Sequence, residues 1–155
     1  MSVSPRIALA VLSTLLAASP ARAQTTGPIA VIINRQNPED GLAVEDLRHL
    51  YLGVRTAFPN GAPVVLLALP KLSTRFYAGA LQMSPDAVKR YWIGLVFSGD
   101  SAVPPKEISS VIQLKRLVAR HPGAVGFIPA TDADTTVRVV DIEGKRPDDP
   151  GYPLR

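Results

Sequence analysis

The stretch LLALPKLSTRFYAGAL, Leu66 to Leu81, reads as a strand end, a short turn and a helix. The apolar run Val64 to Leu69 supplies a buried strand, and Pro70 stops it. Ser73 or Thr74 is then placed to cap a helix over residues 73–82. Backbone N–H groups at a helix start are unpaired, and the macrodipole there favours negative charge. The junction is therefore a candidate seat for a small anion or carboxylate. Two readings of Ser73 and Thr74 stay open: plain N-caps, or caps that also touch an anion. Lys71 and Arg75 are either a solvated rim or cations that converge on the same ligand. Arg75 in a first helical turn is mildly unfavourable by itself, and a bound anion would offset that.

On either side the chain alternates in type. Ile29 to Ile33 is a continuous apolar run, the pattern of a strand covered on both faces. Leu42 to Leu52 places Leu47, Leu50 and Tyr51 at helical spacing, with acidic residues first and Gly53 after the end. Residues 56–63 form a loop with a turn at Asn60-Gly61. Ser84-Pro85-Asp86 opens a helix with an apolar face of Ala87, Val88, Tyr91, Trp92, Leu95 and Val96, ended by Gly99. A further amphipathic helix spans 109–120, with Val111, Ile112, Leu114, Leu117 and Val118 inward. Ala124 to Ile128 and Thr136 to Ile142 read as strands, and the Pro- and Gly-bearing tail 143–155 as loosely ordered. The order β-α-β-α-α-α-β-β predicts an α/β layer fold with a small, mainly parallel sheet flanked by helices. Ligands of such sheets sit at carboxyl ends of strands, where Leu69 to Thr74 lies.

Residues 1–23 stand apart from that fold. Arg6 precedes an apolar run from Ile7 to Ala18, and Ala21-Arg22-Ala23 fits a small-x-small cleavage site, so residues 1–23 read as a signal peptide. An uncleaved anchor is the weaker reading, because the run is shorter than the roughly 20 residues of a bilayer span. The expectation is an exported, periplasmic protein with no membrane insertion after cleavage. Removing 23 of the 155 residues leaves 132, room for one compact domain. It also removes two of the 17 basic residues, so 15 face 13 acidic ones and the net charge is +2. That balance, without a Lys/Arg block, points away from nucleic acid. The chain has no Cys, so neither a disulfide nor a lipid-bearing Cys is available.

Several motifs together resemble one family. Ile32-Ile33-Asn34, then Leu47 to Gly53 (LRHLYLG), and Pro122 to Phe127 (PGAVGF), with Trp92 on a helix between them, are similar to phosphate-binding proteins of bacterial ABC transporters. The match runs from about Ile29 to Ala133. It implies a single lobe of a type II periplasmic-binding-protein-like fold over residues 24–142. The family's anion signature, R-x-D-G-S-G-T before a helix, aligns its Ser with Ser73. Leu69 then replaces the Arg, Lys71 the Asp, and Leu72 and Thr74 the glycines that let backbone approach an anion.

The remaining candidates are ordinary. Glu45 and His49 share a helix face without a visible third metal ligand. His121 suits a helix C-terminus, Thr131 and Asp132 a turn, and Asp134 lies just beyond. Of Tyr91 and Trp92 only one can face the core fully. No catalytic spacing, phosphate loop or metal motif is present, so an enzyme, a metal or another cofactor is not expected. The resemblance implies a solute-binding role, with phosphate or another small anion held by Lys71, Ser73, Thr74 and Arg75. The rival reading is a non-transport interaction or regulatory module whose one lobe docks a protein: a membrane sensor, a secretion component or a second copy of itself, where the solute-binding role would instead meet a membrane transporter. Convergence of those four side chains favours the first, and an open apolar patch with Phe58, Tyr77 or Trp92 favours the second.

Overall fold

The computed structural model describes residues 26–155; the expected signal peptide and its cleavage site lie outside them. Strand β1 (Ile29–Ile33) is buried along its whole length, as its unbroken apolar run requires. After the short β2 (Gly41–Leu42) come helix α1 (Val44–Tyr51) and strand β3 (Val65–Ala68). Helix α2 (Pro70–Phe76) runs into a π-helical turn (Tyr77–Leu81) that ends at Gln82 in the left-handed region. Helix α3 (Pro85–Phe97), β4 (Lys106–Glu107), helix α4 (Val111–Arg120), β5 (Ala124–Pro129), β6 (Arg138–Val139) and β7 (Asp141–Ile142) complete the order.

The main sheet has the strand order β4-β3-β5-β1-β6. β3 is parallel to β4 and β5, whereas β1 is antiparallel to β5 and β6. Four strands therefore run one way and β1 alone is reversed, which is a mainly parallel sheet with one inverted strand. The reversal carries the start of β1 to the carboxyl end of β5, where Ile29 faces Pro129 and Ala130 N–H donates to Pro28 O. β2 and β7 form a separate parallel pair.

Helices cover both faces. On one, Phe127 of β5 stacks on Phe76 of α2 at 3.9 Å, and Tyr51 of α1 meets Phe76 edge-on at 4.9 Å. On the other, Gly126 lets Leu114 of α4 approach so closely that a Cβ there would lie 2.8 Å from Leu114 Cδ2. Helix α3 docks on the end of α1 through both aromatic neighbours. Trp92 Nε1 donates to Tyr51 O at 3.2 Å and Tyr91 Oη to Leu52 O at 2.9 Å. Trp92 is the buried one, and it sits where a side chain on Gly53 would be: a Cβ there would lie 2.7 Å from the indole.

Four expectations need correction. The helix read over 73–82 begins at Pro70, because proline has a helical φ and no N–H to leave unpaired. Val96 and Ile112, expected inward, are 52% and 62% exposed, since sheet and neighbouring helices cover only one side of α3 and α4. The strand read over Thr136 to Ile142 is split into β6 and β7, which join different sheets. The tail is not loose: Tyr152 and Leu154 are buried against β1.

A candidate binding groove beside α2 and α3

At the β3–α2 junction Leu69 is the N-cap residue, and no side chain caps the helix. Ser73 lies at its fourth helical position and donates Oγ–H back to Leu69 O at 3.2 Å. It is therefore not the cap expected from its residue type; the helix had already started three residues earlier. Thr74, one residue on, is likewise interior. Side-chain capping occurs instead at α3, where Ser84 Oγ accepts from Ala87 N–H at 3.2 Å with Pro85 first in the helix, and at α4, where Ser110 Oγ accepts from Gln113 N–H at 3.4 Å.

The four expected anion contacts do not converge. Ser73 and Thr74 line a groove of about 660 Å³ between α2 and α3. Lys71 is exposed and does not line it. Arg75 is also absent from its wall; its Nη2 donates to Gly27 O at 2.6 Å, at the approach to β1.

The floor of the groove is Tyr77, Val88 and Trp92, all buried, and its outer wall is Ile93, Val96 and Phe97. Phe97 is 87% exposed, an uncommon position for a phenyl ring with no apolar cover. The rim carries both signs, with Asp86, Lys89 and Glu107. Burial pushes the Tyr77 phenol above its ordinary value; a hydrogen bond with Ser73 opposes that, and the charge of Glu107 adds to it. The Ser73 hydroxyl is thus engaged by its own helix and by Tyr77, and no histidine lines the groove to activate it. This is a surface for apolar contact with a mixed-charge margin.

The other polar candidates are structural. His49 Nε2 lies 3.1 Å from Glu45 on the open face of α1. Lys115 Nζ reaches Asp134 Oδ2 at 2.6 Å and Asp132 O at 2.9 Å, so that turn is held by one lysine. Its hydrogen bonds, Lys115 first and Thr136 next, hold the Asp134 carboxyl at about 2. Among the described residues no group of three His, Asp or Glu is placed to hold a metal ion. None of their helices is long and apolar enough to cross a membrane.

Sequence reading missed two features. Glu107 of β4 and the wall residues Ile93 and Phe97 belong to the groove; for Ile93 and Phe97 the i,i+4 spacing on α3, off its inward face, was the available signal. At the start of α1, Glu143 Oε1 accepts from Val44 N–H at 2.7 Å and Asp46 Oδ2 from Ala43 N–H at 3.1 Å. That helix start already holds carboxylates of this chain. Glu143 comes from 99 residues away, so no local pattern announced it.

No protein-family model matches the chain. Solved structures do. A protein described as a phosphate ABC transporter substrate-binding protein, with bound phosphate, from Clostridium perfringens aligns with TM-score 0.63 at 19% identity. The alignment covers 77% of this chain and 46% of that one. PstS from Borrelia burgdorferi aligns with TM-score 0.60 at 9% identity, over 82% of this chain and 53% of that one. An ABC-type phosphate transport receptor from Vibrio cholerae gives 0.53 at 21% identity, over 77% and 48%. This chain spans about half the length of the proteins it matches. With four strands in one direction, one reversed and helices on both faces, it has the fold of one lobe of a phosphate ABC transporter substrate-binding protein.

Proposed function

We propose that this chain is an exported, non-enzymatic binding protein that keeps one lobe of a solute-binding fold and docks a protein through the α2–α3 groove. The supporting observation is the composition of that groove. Its apolar wall of Ile93, Val96 and Phe97 is open to water, while the cations expected to hold an anion lie elsewhere, Arg75 on Gly27 O and Lys71 in solvent. The leader-like residues 1–23 support export and a periplasmic location. A photo-crosslinking amino acid at position 97, with position 112 on α4 as an equally apolar exposed control, tests docking in the living cell. Adducts at 97 and none at 112 are expected. Absence of any adduct at 97 overturns the reading.

A second reading is favoured by Ser73 and Thr74, which do open onto the groove: a small anion such as phosphate binds beside them. Calorimetry of the mature protein with phosphate, sulfate and small carboxylates decides it. Silence from all of them at about millimolar concentration, where even a weak binder near −4 kcal/mol would register, removes the anion reading.

A further inference from the structure

We infer that a second cavity, at the amino end of β3, takes a small apolar monocarboxylate. The inference is independent of both readings of the α2–α3 groove.

The cavity exists because one edge of β3 is only half covered. β4 pairs with Leu67 and Ala68, so Val65 and Leu66 have no strand beside them on that side. The chain that passes there instead, residues 101–105, ends in Pro104-Pro105, which have no N–H to extend a ladder. Asp100 Oδ1 fixes the start of that passage by accepting from Ala102 N–H at 2.8 Å. A cavity of about 400 Å³ is left between this segment, the start of β3 and the end of α1. It lies at the opposite end of β3 from Leu69 to Thr74. Ligand sites run from roughly 300 to 1,000 Å³, so its occupant is small.

The wall defines the body of that occupant. Leu50, Leu66 and Ala102 are buried behind it, while Val65 and Val103 line it and stay 49% and 75% exposed. Two valines from different segments are thus left in water around one cavity. An apolar body held there would cover both.

The charges define its head. The wall carries two charged side chains, Arg55 and Lys106, both cations, and no acid. Thr56 and Ser101 add hydroxyls. Strand alternation sorts the charges of β4: Lys106 lines this cavity, and Glu107, the next residue, lines the α2–α3 groove. Asp46 Oδ1 lies 2.8 Å from Arg55 Nη1, which holds the guanidinium and offsets part of its charge. Lys106 takes part in no ion pair among the described residues, so it supplies the uncompensated charge. One anionic head on an apolar remainder answers both parts of this wall. Inorganic phosphate would leave the valines uncovered, and a neutral hydrocarbon would desolvate Lys106 without a partner.

Amide NMR shifts of the isotope-labelled mature chain, titrated with octanoate, test this. Saturable shifts at Val65, Ser101, Val103 and Lys106 are expected, with a Kd of about 1 mM or below. Lys106→Gln should weaken binding about tenfold, the loss that accompanies one hydrogen bond to a charged group. Val103→Asp should abolish binding by placing an acid in the wall. Both side chains are exposed, so neither change should lower the melting temperature. Arg116→Gln, an exposed cation on α4 outside the cavity, should leave the Kd unchanged. Octanol, with the same body and no charge, should bind at least tenfold more weakly, and inorganic phosphate should shift none of the four amides. Absence of saturation by about 10 mM octanoate overturns the inference. So does a Lys106→Gln or Val103→Asp protein that binds as the parent does, equal binding of octanol, or octanoate shifts confined to Ser73, Thr74 and their neighbours in the groove.

Discussion

The phenol of Tyr152 donates to the carbonyl oxygen of Ile29 at 2.8 Å, across 123 residues of chain. Ile29 N–H in turn donates to Leu154 O at 2.8 Å. β6 pairs only with Ile32 and Ile33, so the last residues of the chain satisfy the backbone of β1 where β6 does not reach. The C-terminus is thus part of the sheet's edge. Tyr152→Phe should cost about 1 kcal/mol, the value of one buried hydrogen bond. Tyr152→Ala should cost about 3–4 kcal/mol by adding a cavity. Urea unfolding measures both, and a Tyr152→Ala protein as stable as the parent would contradict a structural tail.

The same phenol makes stability depend on alkaline pH. Burial raises Tyr152 above its ordinary value, and the Asp141 charge adds to the rise; burial also raises Tyr51, with Tyr77 contributing. A raised folded-state value means the phenols stay neutral in the native protein after those of the unfolded chain begin to ionise near pH ~10. Stability from these groups is therefore fully present below pH ~10 and is lost as pH rises toward the folded-state values. Urea midpoints at about pH 8 and about pH 11 should show a clear loss, smaller in Tyr152→Phe. Equal midpoints would refute the burial argument.

Ser73 and Ser84 provide a paired test of where helices begin. Ser84 caps α3 by accepting from Ala87 N–H, whereas Ser73 bonds back to Leu69 O inside α2. Ser84→Ala should lose about 1 kcal/mol. Ser73→Ala removes a back-bond that is neutral to slightly unfavourable in a helix, so its cost is that of the hydrogen bond with Tyr77 alone, about 0.5 kcal/mol. The reverse ranking in thermal melts would restore the capping role of Ser73.

Gly123 leads into β5, and its carbonyl accepts from Val65 N–H at 2.8 Å. A Cβ there would lie 2.1 Å from Pro63 O, a backbone atom that cannot rotate away. Gly123→Ala should therefore cost about 3 kcal/mol by forcing β3 and β5 apart. Gly94→Ala, in open space, should be stabilising by up to about 1 kcal/mol in the same assay. A mild Gly123→Ala variant would argue against this close approach.

Much of the frame was legible because its causes are local. The apolar run of β1, the Ser84-Pro85 start of α3, the amphipathic face of α4 and the PGAVGF entry into β5 each depend on residues within a turn or two. Even the error at α2 was a local contest, in which Pro70 outranked Ser73 as the point of entry. The site was harder. Residue types pointed to the β3–α2 junction, and two of the four candidates there, Ser73 and Thr74, line the groove. The direction of Arg75 could not be read, because its acceptor, Gly27 O, is 48 residues away and is brought there by the reversal of β1. β4 was missed because its two residues, both exposed, have no periodicity to show.

The order of strands and helices, and hence the α/β class, follows from patterns that hydrophobic burial and helix capping impose on short segments. Which way β1 runs, what fills the start of α1, where the tail lies and which face of α3 is left open follow from contacts between segments 39 to 123 residues apart. Such contacts depend on how the whole sheet closes, and no short window of sequence contains both partners. Leu66 to Leu81 shows the division. Its strand and helix were written in its own residues, while the groove beside it exists only because α3 packs against the end of α1 and leaves Ile93, Val96 and Phe97 in water.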